Sequence, residues 1–387
     1  MSVQGSKYLE DVIQKCDGTM QKLAQLGMSP DNEKKFSRLF SVTETAEMVG
    51  RSRATLYQLS DELACPIKNL QTGRVKGYTL DQVNSIREYF KTLPWRKPDE
   101  KCVKLAIQSF KGGVSKSVTT VYLAQFLALK GYRVLIVDCD PQASATSSFG
   151  FVPDQQFMQE HTIAAYLDGI HETLDYAIIK TYFPGISLVP SCLQLYEAEF
   201  GLFNAISHAK SVEEKVDYYY EFSNAIASVE DQFDIILLDS PPALGMISIN
   251  ILVAANALIV PTPPSLYDFS STIQYFRMIK KVVEGITPDK KFEFIKVMAA
   301  KVEKGKAKQI DFLSIMRDQF GSSIFNAVFS LTSSIPNAAS LYQTIYDTPM
   351  KDNKVSMMLN TIFKEMENEI RKCWPSHKRK LEEEGVI

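Results

Sequence analysis

The spacing of apolar and polar positions divides the chain into two unequal parts. Near the start, Tyr8, Leu9, Val12, Ile13, Cys16, Met20, Leu23 and Leu26 recur at helical spacing, and Gly27 with Pro30 supplies a stop. This predicts an amphipathic helix whose stripe packs either on its own chain or on another subunit. Over 40–59, two short helical patterns meet at Gly50, with Thr43 and Ser52 as N-cap candidates and Ala46, Val49 and Leu56 as the small contacts of two closely crossing helices. The stretch 72–78 reads as a turn or wing, and 94–101, with two prolines and five charges, as a linker. Beyond it, apolar runs at 103–107, 134–137, 186–189, 235–238, 258–260 and 294–298 alternate with longer helical patterns. Runs that are apolar on both faces and separated by helices predict a doubly wound α/β domain, its mainly parallel sheet covered on both sides. The expected division is 1–35, a helix suited to dimerisation; 36–100, a winged helix-turn-helix and linker; and 101–387, the α/β domain.

Composition changes this picture little. At 387 residues the chain exceeds what one core supports, about 250–300 residues, and 45% apolar with 23% charged residues describes a folded chain in water. No apolar run approaches the ~20 residues of a membrane span and no signal-peptide core opens the chain, so a cytoplasmic protein is expected. The six cysteines form no Cys-x-x-Cys pair and read as reduced, mostly packed thiols. Net charge is only −2, yet 280–308 holds nine lysines against four acids, which predicts a basic face for phosphate backbones.

Candidate chemistry sits between a strand ending near Gln108 and a helix starting near Lys116. There Phe110-Lys111-Gly112-Gly113-Val114-Ser115-Lys116-Ser117-Val118 has the parts of a phosphate cradle, or P-loop: glycines for close backbone approach and N–H groups converging at a helix N-terminus. Lys116 would bridge the outer phosphates of a nucleotide and Ser117 would face Mg²⁺. Phe110 and Ser115 stand where the common form of the motif has glycine. Asp138 and Asp140 of Asp138-Cys139-Asp140-Pro141-Gln142, and Asp239 before Ser240-Pro241-Pro242, end two further strands on the same sheet edge, with Asp239 suited to a Mg²⁺-bound water. In the N-terminal part, Arg51, Ser52, Arg53, Thr55 and Gln58 would open an outward-facing recognition helix, and Arg74 and Lys76 would tip the wing, a DNA-reading arrangement.

These residues resemble the ParA/MinD ATPases. Lys111 matches the extra lysine of their deviant Walker A loop, Asp138 to Gln142 their Asp-x-Asp-Pro-Gln element, Leu238 to Pro242 their Walker B, and Val260-Pro261-Thr262-Pro263 the segment they place beside the base. The resemblance spans about 103–350, and the N-terminal part and the segment 184–193 make it strongest to the large plasmid ParA proteins. It implies ATP or ADP with Mg²⁺ bound by 111–118, Pro261 and Thr262. It also implies a face-to-face homodimer in which Lys111 reaches the partner's phosphates, and water positioned by Asp140. Asp138 would support the metal and lysine network. Slow hydrolysis stimulated by a ParB-type centromere-binding partner, non-specific DNA binding through Lys304, Lys306 and Lys308, assemblies on nucleoid DNA, and autorepression through the helix-turn-helix complete the expectation. The alternatives are a nucleotide-responsive transcriptional regulator without turnover and a MinD-like membrane-surface ATPase. For the latter, the basic segment 370–375 is interrupted by Pro375. An iron–sulfur relative would need cysteines at a dimer axis, which Cys139 and Cys192 do not match.

Overall fold

The computed structural model describes residues 5–27, 36–59, 63, 65–69, 71–303, 305–340, 343–347 and 353–385. The six expected runs are strands: β3 (Val103–Ile107), β4 (Val134–Asp138), β6 (Ile186–Val189), β7 (Ile235–Asp239), β8 (Ala257–Thr262) and β9 (Phe294–Val302). Two short strands that periodicity missed, β5 (Ile179–Lys180) and β10 (Phe329–Ser330), close the edges, giving the order β10-β9-β8-β3-β7-β4-β6-β5. All neighbours are parallel except β5 on β6. β4 and β7 are buried along their whole length because helices cover both faces, which is why their sequences lack a polar alternation.

The loop helix α5 (Lys116–Lys130) runs beneath the C-terminal helix α12 (Asn353–Lys372), whose Phe363 meets Phe126 with ring centroids 5.9 Å apart. α12 buries Val355, Leu359, Ile362, Phe363, Met366 and Ile370 in the core. Pro375 opens a further helix, α13 (Pro375–Glu383), and Trp374 before it is fully buried, its Nε1 donating to the Lys101 carbonyl. Among the described residues no helix is long and apolar enough to cross a membrane.

The N-terminal part begins with α1 (Gly5–Gly27), on which Tyr8, Leu9, Val12, Ile13 and Cys16 are exposed; Pro30 lies outside the described residues. α2 (Val42–Val49) and α3 (Arg53–Tyr57) meet at Gly50, whose φ of 69° is the left-handed turn glycine allows. Ser52 caps α3 as expected, but α2 is capped by Ser41, not Thr43: Ser41 and Glu44 form a reciprocal capping box and Thr43 lies inside the helix. β1 (Ile67–Lys68) and β2 (Val75–Gly77) form an antiparallel hairpin, followed by α4 (Leu80–Tyr89).

The segment 94–101, read as a linker, is packed against the α/β part. The buried Arg96 guanidinium donates to the carbonyls of Phe233, Glu100 and Glu230, the Trp95 indole to that of Gly131, and Glu100 accepts from Ser376. Arg87 of α4, 2% exposed, donates at once to the Met48 carbonyl of α2 (3.2 Å) and the Leu129 carbonyl of α5 (2.8 Å). One apolar cluster runs from Phe40, Val49, Leu80 and Ile86 into Leu127, Phe363 and Trp374. The two parts of the chain therefore share a core.

Candidate active site

β3 ends at Ile107, and the loop to α5 turns under Gln108, whose side chain is fixed between Tyr275 Oη (2.7 Å) and the Ser248 carbonyl (2.9 Å). Phe110, the first departure from the common motif, packs edge-on against Tyr275 with centroids 5.0 Å apart, so the ring anchors the loop where glycine would leave it bare. Gly112 and Gly113 are exposed and Val114 turns inward. Ser115, the second departure, has φ 75° and ψ 28°, the left-handed conformation for which glycine is the usual choice. Among the described residues, no backbone N–H from Gly112 to Val118 has a protein acceptor; the first to find one is Thr119, on the Ser115 carbonyl. A row of unmet donors at the start of α5 is a site for an anion.

The charges around the loop are arranged to match. Lys116 is 6% exposed, and its Nζ lies 3.0 Å from the Lys111 carbonyl. Burial lowers its pKa, while Asp239 and Asp140 oppose the shift. Lys111 is more open and its Nζ pairs with Asp268 Oδ1 at 2.7 Å. Asp268 lies in the first turn of α10 (Leu266–Ile286), capped by Ser265, and nothing near Lys111 in sequence announces it.

Asp138 and Asp239 face each other across β4 and β7. Both are fully buried, and desolvation followed by mutual repulsion raises the Asp138 pKa. Asp138 spends both oxygens on protein donors: Oδ2 accepts from the Thr146 N–H (2.8 Å) and hydroxyl (2.7 Å), Oδ1 from the Asp140 N–H. Asp239 differs. Its Oδ1 accepts from Thr120 Oγ1 of α5 (2.9 Å), while Oδ2 is buried with no hydrogen-bond partner among the described residues. Burial raises its pKa, and the nearby Ser117 hydroxyl and Thr120 pull it down. Asp140, 8% exposed, accepts from the Gln142 N–H at 3.0 Å, and burial raises its pKa against the pull of that N–H and of Lys116.

At the end of β8, Pro261 and Thr262 are buried, and Thr262 Oγ1 lies 2.9 Å from Thr272 Oγ1 of α10. Pro261 and Pro263 nevertheless line a narrow pocket with Phe110, Lys111, Val114 and Asp268. The expected basic face over 280–308 is divided between the two ends of the sheet. Lys290 lies before β9 and donates to the Val253 carbonyl, Lys296 pairs with Glu369, and among the described lysines of the run Lys306 and Lys308 are exposed beyond β9, Lys306 paired to Glu303 at 2.7 Å. Lys304 lies outside the described residues. In the N-terminal part Arg51, Ser52, Arg53, Gln58, Arg74 and Lys76 are exposed and Thr55 half-buried; Arg51 stacks over the Phe90 ring. Cys102, Cys139 and Cys192 are buried free thiols, and no cluster of His, Cys, Asp and Glu among the described residues could hold a metal by itself.

A family model described as an AAA domain matches residues 102–292. Protein SopA of Escherichia coli K12 is 31% identical over 336 residues, 84% of each chain. A solved structure described as a partition protein shares the fold, with a TM-score of 0.65 at 20% identity over 96% of this chain and 99% of that one. Cobyrinic acid a,c-diamide synthase from Mycobacterium smegmatis, crystallised with an ATP analogue and magnesium, matches with a TM-score of 0.53 at 25% identity over 68% of this chain and 94% of its own. With its lysine-flanked loop and paired strand-end aspartates, this chain belongs to the ParA/MinD family of P-loop ATPases, SopA among its relatives.

Proposed function

We propose that this chain is a DNA-partitioning ATPase. Its ATP-bound dimer holds DNA non-specifically on the nucleoid in the cytoplasm, a ParB-type centromere-binding partner stimulates it, and residues 36–100 repress its own operon as a winged helix-turn-helix. The carrying observation is the loop at 111–117, where backbone N–H groups without an acceptor among the described residues lie beside Lys111 and Lys116, with the buried Asp239 close to Lys116.

In this reading the N–H groups of 112–118 and the Lys116 ammonium bind the phosphates of ATP or ADP, and Pro261 and Thr262 back the base side. Ser117 and Asp239 would hold Mg²⁺, and the donor set fits: a hydroxyl beside a buried carboxyl whose Oδ2 has no hydrogen-bond partner among the described residues. Bound there, the ion supplies charge compensation to the outer phosphates. Asp138 acts one step removed, holding the turn that carries Asp140 through Thr146 and the Asp140 N–H. Asp140 keeps an oxygen for the attacking water, and its raised pKa makes it a better proton acceptor than an ordinary surface carboxylate. Lys111 exchanges Asp268 for phosphates bound by a partner copy, which orients the terminal phosphate and offsets charge that develops on it.

Three features support the DNA half of the reading. Arg51, Arg53, Arg74 and Lys76 are exposed together with Ser52 and Gln58 at the start of α3 and on the hairpin. Lys306 and Lys308 lie beyond β9, on the sheet edge that carries the loop. Tyr8, Leu9, Val12 and Ile13 of the α1 stripe are exposed on their own chain, which suits a helix that pairs with a second copy. The deciding measurement is the ATP hydrolysis rate of the chain alone, with DNA, and with DNA plus the centromere-binding partner. A low basal rate that rises with both is expected. A rate indifferent to both would overturn partitioning, and tight ATP binding without turnover would select the nucleotide-responsive regulator.

A further inference from the structure

A third lysine approaches the loop from outside it. Lys301 lies near the C-terminal end of β9, two residues past Ala299, the last position of β9 paired to β8, and therefore at the sheet edge that carries the loop. Its backbone is irregular. β10 pairs Phe329 with Ala300 and Ser330 with Val302, so Lys301 is an extra residue with no partner of its own, and its φ is 53°. Such a bulge re-aims a side chain out of the strand's alternation, and a lysine held in the left-handed region is strained unless its placement serves something. The side chain is aimed at the loop: Nζ lies 3.9 Å from the point a Cβ on Gly113 would occupy. Among the described residues this ammonium has no hydrogen bond and no carboxylate within ion-pair distance, in contrast to Lys111 on Asp268 and Lys116 on the Lys111 carbonyl.

We propose that Lys301 is a phosphate-contacting residue of the nucleotide site, a cation delivered from β9 to the phosphate chain of a bound nucleoside di- or triphosphate. The inference rests on the loop being the nucleotide site, and adds that nucleotide affinity depends on a strand separated from the loop by about 185 residues of chain. An uncompensated ammonium beside a row of unmet N–H groups is stable when an anion fills the space between them.

The test uses the full chain with Mg²⁺, titrated by calorimetry with ADP and with ATP, and the thermal midpoint measured without nucleotide. Lys301→Gly removes the charge yet keeps a residue that adopts φ 53° without strain, so its midpoint should hold or rise while both dissociation constants increase roughly ten-fold. Lys301→Arg should restore binding to within about three-fold. Lys116→Ala reports on the loop itself. If it binds as wild type, the nucleotide reading fails; if it loses binding while Lys301→Gly binds both nucleotides as wild type, only the Lys301 proposal fails. Normal nucleotide binding by Lys301→Gly with loss of DNA binding would assign the lysine to DNA and overturn it, as would a weakening that arginine does not restore.

Discussion

Asp239→Asn should make the nucleotide-free protein more stable while removing its activity. The buried Oδ2 of Asp239 has no hydrogen-bond partner among the described residues and Asp138 pairs with Asp239 on the adjacent strand, so the wild type carries an acceptor whose desolvation is poorly compensated, a cost of about 1–3 kcal/mol. Asparagine keeps the oxygen that Thr120 Oγ1 bonds and places an N–H₂ beside the carboxylate. A net gain of about 1–2 kcal/mol is expected by the same reasoning, read as a rise of about 2–4 °C per kcal/mol in thermal midpoint. The gain should depend on pH. Burial raises the folded-state pKa of both carboxyls above the unfolded value of about 4, so the folded wild type binds protons that the unfolded chain has already lost. Its stability therefore rises as pH falls through the raised values and is lost as pH climbs through them. The advantage of the variant should be widest near about pH 8 and narrow toward about pH 6. Saturating Mg²⁺ and ATP should reverse the order, because ligand at 100 times its dissociation constant stabilises the wild type by about 2.7 kcal/mol, and the variant lacks the carboxylate on the metal side. A variant that is less stable without nucleotide, or whose difference from wild type ignores pH, would show that Asp239 is not an open charge and would remove the argument for a metal-bound water there.

Two further outcomes follow from the assigned roles. Asp140→Ala should bind ATP with an affinity close to wild type yet hydrolyse it at least about 100-fold more slowly, the scale of a lost general base, and near-normal turnover in a single-turnover assay would move water positioning to another residue. Arg51→Ala with Arg53→Ala should weaken operator binding and leave ATP-dependent non-specific binding intact, while Lys306→Ala with Lys308→Ala should do the opposite and flatten its salt dependence by up to about two in log–log slope; parallel losses in both assays would refute the division of labour.

Elements that are decided locally were legible in the sequence. β4 and β7 are apolar on both faces up to their terminal aspartates because each is buried on both, and a run of that kind announces itself without a partner. β5 and β10 have two residues each and no period to detect. Thr43 looked like a cap because its type suits one; Ser41 prevailed because Glu44 lies three residues on and closes the reciprocal bond. The segment 94–101 misled for a different reason: prolines and charges imply solvent only when nothing distant receives them. Here Asp234 accepts from the Arg96 N–H, the Phe233 carbonyl from its guanidinium, and Ser376 donates to Glu100, contacts that span more than 100 residues.

The same boundary runs through the site. That Lys116, Ser117 and the strand-end aspartates lie at one edge could be read because each follows a strand and the sheet brings strand ends together. Their division of labour could not. Asp138 and Asp239 are both acids after apolar runs, and the hydrogen-bond count separates them: Thr146 and the Asp140 N–H occupy both oxygens of one, while among the described residues Oδ2 of the other has no hydrogen-bond partner. Phe110 looked like a defect in the motif until Tyr275, 165 positions later, supplied the ring it packs on. Lys111 and Lys301 carry the point furthest. Both are lysines at the rim of one loop, yet α10 gives Lys111 a carboxylate and no described residue gives Lys301 one. Charge count along the chain treated Lys301 as one of nine alike; the bulge at Lys301 on β9 is what brings its ammonium beside Gly113 and away from the rest of its run.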